Sequence, residues 1–446
     1  LSDNQVRCVL EDDFKHIWVG TFKGIDCYDP ITDTWSHYTR YGSSSNSLSH
    51  TSILSLHKDM QGNIWVGTYY GGVNVFNPDK NNHSFYCAEP LREDCLSFPV
   101  VGKMTEDSAG NVWICTEGGG LNCYHGDTGV FSRYMYHKGD QGTLGSNNVK
   151  SIFYRKENNR LYAGTHLGGL FVLDLKSNKG HTLHHVTGDP ASLPHEIVND
   201  IQEYKDGIAM LTQGGPVFFD PVTEKFSPLT DDPSVQKLIS REYAFETFLI
   251  DSRQRMWLAV GGGGIVCVNL SSSKVTQYLA DSEKDTLTVG RYKTVHIFED
   301  NKGDIYFSTI GAGIFKYQEK QDAFKSYGTT NGVLPSNYCY YICESARDNC
   351  LLVLHGKGLS IFDREKEGTE ETYHLFRQTY NLGSALYRSK NGIIYISGTN
   401  GLAMFQERSF YESQVKSFLN FDKLFIFNDE IAPGDESGIL TEILAK

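Results

Sequence analysis

A repeat of about 48 residues limits what this chain can fold into more than any other feature of the sequence. Each copy contains a short apolar segment that starts with an aromatic or aliphatic residue and usually ends in Thr. Successive copies are separated by 44 to 49 residues. The nine copies begin at Trp18, Trp65, Trp113, Tyr162, Ala209, Trp257, Tyr306, Leu352 and Ile396.

A second marker recurs with the same period. It is a leucine that stands shortly before an apolar stretch, at Leu1, Leu48, Leu96, Leu144, Leu193, Leu287 and Leu334. Two markers that stay in phase over the whole chain are hard to obtain by chance. They indicate a structural unit that is repeated nine times.

Each unit is predicted to form four short strands. In the second copy the strands cover residues 53–56, 64–68, 73–76 and 84–86, separated by polar or glycine turns. No unit contains a helix-length window with a period of 3.6, which excludes a helical solenoid. A small antiparallel sheet cannot bury both faces alone, and radial stacking of similar sheets solves that problem. The sequence therefore predicts an all-β protein, a β-propeller of four-stranded antiparallel blades.

Nine units exceed the four to eight blades in which propellers commonly close. We therefore predict one seven-bladed ring plus two blades of a neighbouring propeller. Residues 1–95 would form the two blades and residues 96–416 the ring. The repeat ends after Phe405, so residues 417–446 are predicted to start a following β-sandwich.

Composition excludes several classes of protein. The chain has 446 residues, a formal net charge of −13 and a high aromatic content, which suits a strand-rich globular protein and argues against a surface for nucleic acid. No apolar run is long enough to cross a membrane, and the chain opens directly in repeat sequence without a signal peptide. We expect an excised or processed piece of a longer protein.

The ten cysteines show no CxxC pair and no zinc-site spacing with histidine. Several fall in predicted strands, so buried free thiols are favoured over a disulfide framework. We predict neither a metal site nor a cofactor.

Motifs for catalysis are scarce. The chain has no GxSxG elbow, no HExxH and no Walker loop. Its glycine runs recur once per unit between two strands, as hairpin turns do, and open no helix that could bind phosphate. Glu-Asp pairs such as Glu106-Asp107 also recur at matching positions, whereas the two carboxylates of a glycosidase must face each other across one substrate. No catalytic residue is predicted.

Candidate binding residues come from the loops in which the units differ. Two loop types, the turn after the Thr and the loop that leads into the innermost strand, reach the same propeller face around the central channel. They carry aromatic rings, amides, His and Arg, which can stack on sugar rings and bind hydroxyl or anionic groups. The predicted ligand-binding residues are Tyr69, Tyr70, Glu117, His166, His195, Gln213, Arg241, Arg291, Tyr292, Asn337 and Tyr338. Arg241 and Arg291 would suit a carboxylate or sulfate on an acidic sugar.

The units resemble a known family. The pattern Glu-Asp, Gly-Asn-Ile-Trp-Val-Gly-Thr and Gly-Gly-Val is similar to the two-component-regulator propeller repeat of hybrid two-component systems from gut Bacteroidetes. Glu299-Asp300 with Gly303-Asp304-Ile305-Tyr306 is a further close match, and residues 424–435 resemble the start of the β-sandwich that follows the propellers there.

This resemblance implies tandem seven-bladed propellers, a sandwich, a membrane helix, a histidine kinase and a DNA-binding regulator. It also implies a homodimeric periplasmic sensor of oligosaccharides from glycan breakdown. Most of these parts lie outside the chain, so a membrane tether would come only through missing segments. Fold alone does not establish function. A propeller glycosidase or polysaccharide lyase, or a dimerisation platform without a small ligand, remains open.

Overall fold

The computed structural model describes residues 1–31, 33–40, 48–60, 62–78, 83–88, 95–140, 142–280, 289–373, 382–408, 424–426 and 429–431. The chain divides into two compact units, Leu1–Glu407 and Arg408–Lys446. The first unit contains nine antiparallel sheets, named A to I here.

Sheets A and B lie at the N-terminus. Sheet A consists of β1 (Val6–Glu11), β2 (Ile17–Thr21), β3 (Ile25–Asp29) and β4 (Thr34–Tyr38). Among the described residues sheet B has three strands, β5 (Ile53–Lys58), β6 (Ile64–Thr68) and β7 (Val73–Phe76). β8 (His83–Tyr86) follows but does not join sheet B.

Six complete four-stranded sheets come next. Sheet C comprises β9 (Val101–Glu106), β10 (Val112–Thr116), β11 (Leu121–His125) and β12 (Val130–Tyr134). Sheet D comprises β13 (Val149–Arg155), β14 (Arg160–Thr165), β15 (Leu170–Asp174) and β16 (Lys179–Leu183). Sheet E comprises β17 (Val198–Tyr204), β18 (Gly207–Thr212), β19 (Gly215–Asp220) and β20 (Lys225–Pro228).

The remaining strands continue the pattern. Sheet F comprises β21 (Phe245–Ile250), β22 (Arg255–Val260), β23 (Ile265–Asn269) and β24 (Val275–Tyr278). Sheet G comprises β25 (Lys293–Glu299), β26 (Ile305–Ile310), β27 (Gly313–Gln318) and β28 (Ala323–Tyr327). Sheet H comprises β29 (Cys339–Glu344), β30 (Cys350–His355), β31 (Gly358–Asp363) and β32 (Gly368–Tyr373). Sheet I begins with β33 (Leu382–Arg388), β34 (Ile393–Gly398) and β35 (Leu402–Gln406).

Helical segments are short. They are the α-helix α1 (Pro233–Lys237), the π-helical turn Leu238–Glu242 and the 3₁₀ turns Lys156–Asn158 and Val289–Arg291. In the second compact unit the described residues form one hairpin, β36 (Leu424–Ile426) and β37 (Asp429–Ile431). Over the described residues, the structure holds no helix with the length and apolarity that a bilayer crossing requires.

Sheet I is completed by β8, which pairs antiparallel with β35 through Tyr86 opposite Leu402 and Ser84 opposite Met404. The prediction that residues 84–86 close the second unit is therefore wrong. The order of residues within one repeat cannot show that a strand crosses to a distant sheet. In sheet I, β8 supplies hydrogen-bond partners for the backbone N–H and C=O groups at the edge of β35. The outer strand that the repeat would place after β35 lies outside the described residues.

The first strands of sheets C to I contact one another in order, and β33 contacts β9, so these seven sheets form a closed ring. The core lies between neighbouring sheets. Trp113 and Cys123 of sheet C pack on Leu161 and Phe171 of sheet D. At the closing boundary, residues of sheet I such as Met404 pack with Val101 and other residues of sheet C.

The four-stranded propeller fold is confirmed. The division into residues 1–95, 96–416 and 417–446 remains a prediction, although β8 lies on the N-terminal side of the first limit and pairs within the ring.

The in-phase leucines belong to this core. Leu96, Leu144, Leu193 and Leu334 are each at most 2% exposed. Six cysteines are buried as well, namely Cys27, Cys115, Cys123, Cys267, Cys339 and Cys350. Burial raises the pKa of Cys339 to about 12, so this thiol stays protonated.

An Asp-centred turn joins the first two strands of several sheets. In sheet C, Asp107 Oδ1 accepts hydrogen bonds from the backbone N–H groups of Ala109 and Asn111, and Asp107 Oδ2 accepts one from Trp113 Nε1 at 2.9 Å. The same indole-to-carboxylate bond recurs at 2.8 to 2.9 Å in three other sheets, from Trp18 to Asp12, Trp65 to Asp59 and Trp257 to Asp251. The turn explains why Asp and Trp recur six residues apart.

A Glu at the end of the first strand connects neighbouring sheets at three boundaries of the ring. Glu299 accepts a hydrogen bond from the backbone N–H of Ser252, and Glu344 accepts one from Asn301, in each case from the turn of the preceding sheet. Glu106 of sheet C accepts from the N–H of Lys390 in sheet I at 2.9 Å, which closes the ring in the same way. These carboxylates are structural, as their repetition in the sequence indicates.

A third polar contact spans five consecutive boundaries from sheet C to sheet H. A side chain on or just after the fourth strand of one sheet bonds to the left-handed residue in the outer turn of the next sheet. The pairs are Tyr134–Asn178, His181–Glu224, Thr230–Ser273, Tyr278–Asp322 and Tyr327–Glu367. The outer rim of the ring is thus held by polar contacts and its interior by apolar ones.

The Asp turns allow a matched test of burial. Trp113 is 3% exposed, whereas Trp65 in the incomplete sheet B is 43% exposed. We expect Asp107→Ala to lower the free energy of unfolding by about 3 kcal/mol, because buried N–H donors lose their acceptor, and Asp59→Ala by about 1 kcal/mol, because water can replace the carboxylate. Chemical denaturation of both variants would measure the difference. Equal losses would contradict this account of the turn.

Candidate functional site

One face of the ring carries both loop types that the sequence singled out. At the end of the second strand of sheets A to E and G a Thr hydroxyl caps the hairpin, as Thr116 Oγ1 does by donating to Gly120 O at 2.7 Å and accepting from Gly119 N. Gly119 is required here, since a Cβ would lie 2.5 Å from Cβ of Phe98. The side chain of the residue after the Thr takes no part in this cap, so its identity can differ from one sheet to the next.

Backbone bonds join the two loop types within each sheet. Glu117 N–H donates to Val100 O at 3.0 Å and His166 N–H to Asn148 O at 2.8 Å. Gln213 N–H donates in the same way to Ile197 O at 3.1 Å. Every acceptor stands just before the first strand of its sheet. In these three sheets the turn after the second strand therefore lies beside the loop that leads into the first strand.

The first strand of each sheet contains a β-bulge at this mouth. The register shifts between Val149 and Ser151 in sheet D, and between Phe245 and Thr247 in sheet F. A bulge leaves one residue unpaired in the ladder and re-aims its side chain. The bulged residues in sheets D to H are Lys150, Asn199, Glu246, Val295 and Tyr340.

These bulged residues were not among the binding candidates selected from the sequence, although the spacing of the apolar residues around them indicates a bulge. The buried residues that flank each bulge stand three apart instead of two, as in Val149 and Ile152. Strict alternation has a period of two, so a spacing of three inside a predicted strand marks an inserted residue.

Ion pairs link neighbouring sheets across the mouth. Lys150 Nζ lies 2.8 Å from Oε1 of Glu117, and Lys293 Nζ lies 2.9 Å from Oε1 of Glu246. Among these four residues only Glu117 was predicted. Because the partners neutralise each other, these positions present hydrogen-bonding groups with little net charge.

Deeper in the ring a polar cluster fills the axis. Lys103 of sheet C forms an ion pair with Asp200 of sheet E, which also accepts a hydrogen bond from Thr247 Oγ1 of sheet F at 2.7 Å. His296 of sheet G stacks on Tyr341 of sheet H with ring centroids 3.6 Å apart. Five sheets thus contribute side chains to one hub, and the mouth leads to this hub as its floor.

The hub keeps His296 neutral. Burial, followed by the positive charge of Lys103, lowers the pKa of His296 to about 3. Its Nδ1 accepts a hydrogen bond from Ile342 N–H at 3.3 Å, which requires an unprotonated nitrogen. Burial and the charge of Asp200 raise the pKa of Tyr341.

The structure assigns several predicted residues a part in loop geometry. Nδ1 of His195 accepts from Ile197 N–H at 3.1 Å. Asn337 O accepts from Gly311 and Gly313, and Asn337 Oδ1 accepts from Thr329 N–H at 2.7 Å. These hydrogen bonds stabilise the turns. They also occupy His195 Nδ1 and Asn337 Oδ1, so these atoms are not free to accept a hydrogen bond from a ligand.

Other predicted residues remain accessible at the ring mouth. Tyr338 is 55% exposed, Arg291 is exposed and Tyr292 is half-buried against Phe315. Arg241 lies in the π-helical turn, and its side chain is outside the described residues.

Tyr69 and Tyr70 do not lie at the ring mouth. They follow β6 of sheet B, which stands outside the ring. The predicted set therefore divides between two surfaces.

Within the described ranges, no group of three or more His, Cys, Asp and Glu side chains could hold a metal ion.

The family described as "Two component regulator propeller" matches residues 1–23 and 47–70. These two segments include the first two strands of sheet A and the first two strands of sheet B. The resemblance inferred from the sequence is thereby confirmed.

Two similar proteins are a histidine kinase and the extracellular domain of a two-component system. Histidine kinase P4 of Formosa agariphila is 24% identical over 244 residues, which make up 52% of this chain and 17% of the kinase. The extracellular domain of a putative hybrid two-component system from B. thetaiotaomicron has a TM-score of 0.68 at 20% identity, over 97% of this chain and 62% of that domain. The chain thus spans less than two thirds of either relative.

A third similarity concerns the fold alone. The β-propeller domain of the Swd1 protein from Myceliophteria thermophila matches with a TM-score of 0.50 at 10% identity, over 71% of this chain and 99% of that domain.

The ion pair of the hub predicts a double-mutant result. Lys103→Met should lower the free energy of unfolding by about 2 kcal/mol, because it leaves the Asp200 carboxylate enclosed without its cation. Adding Asp200→Leu should restore most of that loss, since both charges are then gone. Strictly additive losses in the cycle would show that the two side chains do not interact.

His296 predicts a pH dependence. Its pKa of about 3 lies below the ordinary value of 6.5, so the unfolded chain binds a proton that the folded chain does not, and stability falls as the pH drops from 6.5 towards 3. His296→Phe keeps a ring on Tyr341 and should remove up to about 1.4 kcal/mol per pH unit of this slope.

Denaturation at several pH values between 7 and 4 would measure the slope. His166→Gln, which removes an imidazole from the mouth, serves as the control. An unchanged slope in His296→Phe would contradict the assignment.

Proposed function

We propose that this chain belongs to the periplasmic part of a hybrid two-component sensor histidine kinase and binds an oligosaccharide from glycan breakdown at the ring mouth. Binding would signal to a kinase outside this chain, and the chain itself would catalyse no reaction. The family repeats and the extracellular domain of similar fold support the sensor assignment.

One observation carries the proposal. Around the mouth, a repeated scaffold of Thr caps, backbone bonds and bulges presents a different side chain from each sheet. Tyr338, Gln213 and the bulged Asn199 offer an aromatic face and two amides, which suit the ring faces and hydroxyl groups of a sugar. The hub below limits how far a ligand can enter, so a short oligosaccharide that lies across the mouth fits best.

The carboxylates that recur in the repeat are already used by the scaffold. Glu106, Glu299 and Glu344 are engaged between sheets, and Asp107 and Asp251 in turns. Groups held in this way are poor candidates for acid and base roles. We further propose that the sensor is a homodimer, as the resemblance implies, with a membrane tether outside this chain.

A ligand screen tests the proposal. A specific oligosaccharide present at about 100 times its Kd should stabilise the folded chain by about 2.7 kcal/mol, visible as a higher Tm. Gln213→Ala and Tyr338→Ala should weaken binding at least about tenfold, the loss that corresponds to 1.4 kcal/mol. The Tm of the unliganded protein should stay close to that of the parent. Tyr28→Ala, in sheet A, is the control for removal of a partly exposed tyrosine.

Other outcomes would favour the alternatives. New reducing ends or unsaturated products after incubation with glycans would identify an enzyme. A flat screen together with a stable dimer would indicate a dimerisation platform without a small ligand. Either result would overturn the proposed sensor site.

A further inference from the structure

Sheets A and B present a second surface at the positions that form the mouth of the ring. Phe22 and Tyr69 follow the Thr of β2 and β6, as Glu117 follows the Thr of β10. His50 lies in the loop that leads into β5, and Arg7 occupies the bulge between Val6 and Cys8. We name Arg7, Phe22, His50, Tyr69 and Tyr70 the Arg7 cluster.

The side chains of the Arg7 cluster touch one another. The guanidinium of Arg7 lies 5.1 Å from the ring centroid of Phe22 and 5.9 Å from that of Tyr69. Tyr69 and Tyr70 meet edge to face at 4.4 Å, and His50 lies 5.9 Å from Tyr70. Arg7 Nη1 donates to Ser52 Oγ at 3.1 Å, which fixes the guanidinium in place.

The aromatic rings of the cluster remain accessible. Phe22 is 47%, Tyr69 51% and Tyr70 80% exposed. Three large rings that are exposed together, beside a cation, form a contiguous patch rather than the scattered apolar residues of an ordinary surface.

The charge of Arg7 differs from that of two lysines at the ring mouth. Lys150 and Lys293 are each paired with a glutamate there. No carboxylate among the described residues forms an ion pair with Arg7, and the neighbouring Asp3 pairs with Lys23 at 3.5 Å. The guanidinium of Arg7 therefore has no acidic partner among the described residues, and a planar guanidinium held between rings can form two parallel bonds to a carboxylate or sulfate.

From this arrangement we propose that the Arg7 cluster is a second binding site, specific for an acidic saccharide. The carboxylate or sulfate of the sugar binds Arg7, and a pyranose ring lies on Tyr70 beside Tyr69. The site lies on sheets A and B, outside the ring, so the chain would bind a glycan at two places, the ring mouth and the Arg7 cluster. A nucleic acid is disfavoured by the net charge of −13.

Three disaccharides serve as probes in calorimetry on the full chain: a digalacturonate, a sulfated disaccharide and a neutral galactobiose. The acidic disaccharides should bind at least tenfold more tightly than the neutral one, and their affinity should fall as salt rises. Arg7→Gln should abolish this preference, and Arg7→Lys should retain only part of it because an ammonium lacks the planar fork. Tyr70→Ala should weaken binding of the acidic probes with no effect on Tm.

The control is Lys150→Gln, which changes the equivalent bulge position of the ring. It should leave binding of the acidic probes unchanged. Equal affinity for neutral and acidic probes, or loss of acidic binding in Lys150→Gln but not in Arg7→Gln, would overturn the proposal. Tyr338→Ala tests the ring mouth separately, so failure at one site can be told from failure at the other. Comparing digalacturonate with the sulfated disaccharide identifies which anionic group the site prefers.

Discussion

The need to bury both faces of a small antiparallel sheet governs this structure. Each sheet has apolar side chains on two faces, and only a neighbour on each side removes them from water. The effect of such neighbours is seen when the sheets of the ring are compared with sheet B. Sheets C to I have neighbours on both sides, and Trp113 and Trp257 are almost fully buried there. Sheet B lacks a complete set of neighbours, and its Trp65 stays partly exposed.

Burial alone would permit neighbouring sheets to slide, and polar contacts fix their positions. The Asp turn holds the loop between the first two strands, the Glu of the next sheet bonds to that turn, and an outer side chain reaches the following left-handed turn. Because these contacts occupy one face and the outer rim, the opposite face needs only the Thr caps and backbone bonds. Its side chains can then change without loss of the fold, which is why a binding surface can develop there.

The repeat, the four-stranded units, the glycine hairpins and the structural role of the Glu-Asp pairs could all be predicted from the sequence. Each depends on residues that are close together in the chain, so a pattern over a few positions is sufficient. The transfer of β8 to sheet I could not be predicted, since the local pattern around residues 84–86 fits an outer strand in either sheet. The hub of Lys103, Asp200 and His296 was missed for a related reason. Its members stand about 100 residues apart and meet only because the ring closes.

The candidate site was predicted in part. The turn positions of Glu117, His166 and Gln213 follow from the Thr that precedes them. Tyr69 and Tyr70 were grouped with the ring because the repeat gives equivalent positions the same weight, whichever sheet they belong to. Arg7 was not considered because its place at a bulge, between two aromatic rings, depends on a register shift that simple alternation hides.

The pairing of β8 with β35 has a mechanical consequence. The chain enters the ring through β8 and passes its last ring strand, β35, directly beside it. His83 at the start of β8 lies opposite Phe405 near the end of β35, so the entering and the leaving segment join this strand pair at the same end. A pull between those two segments would therefore separate the pair from that end, one hydrogen bond after another, while the other six sheets of the ring stay intact.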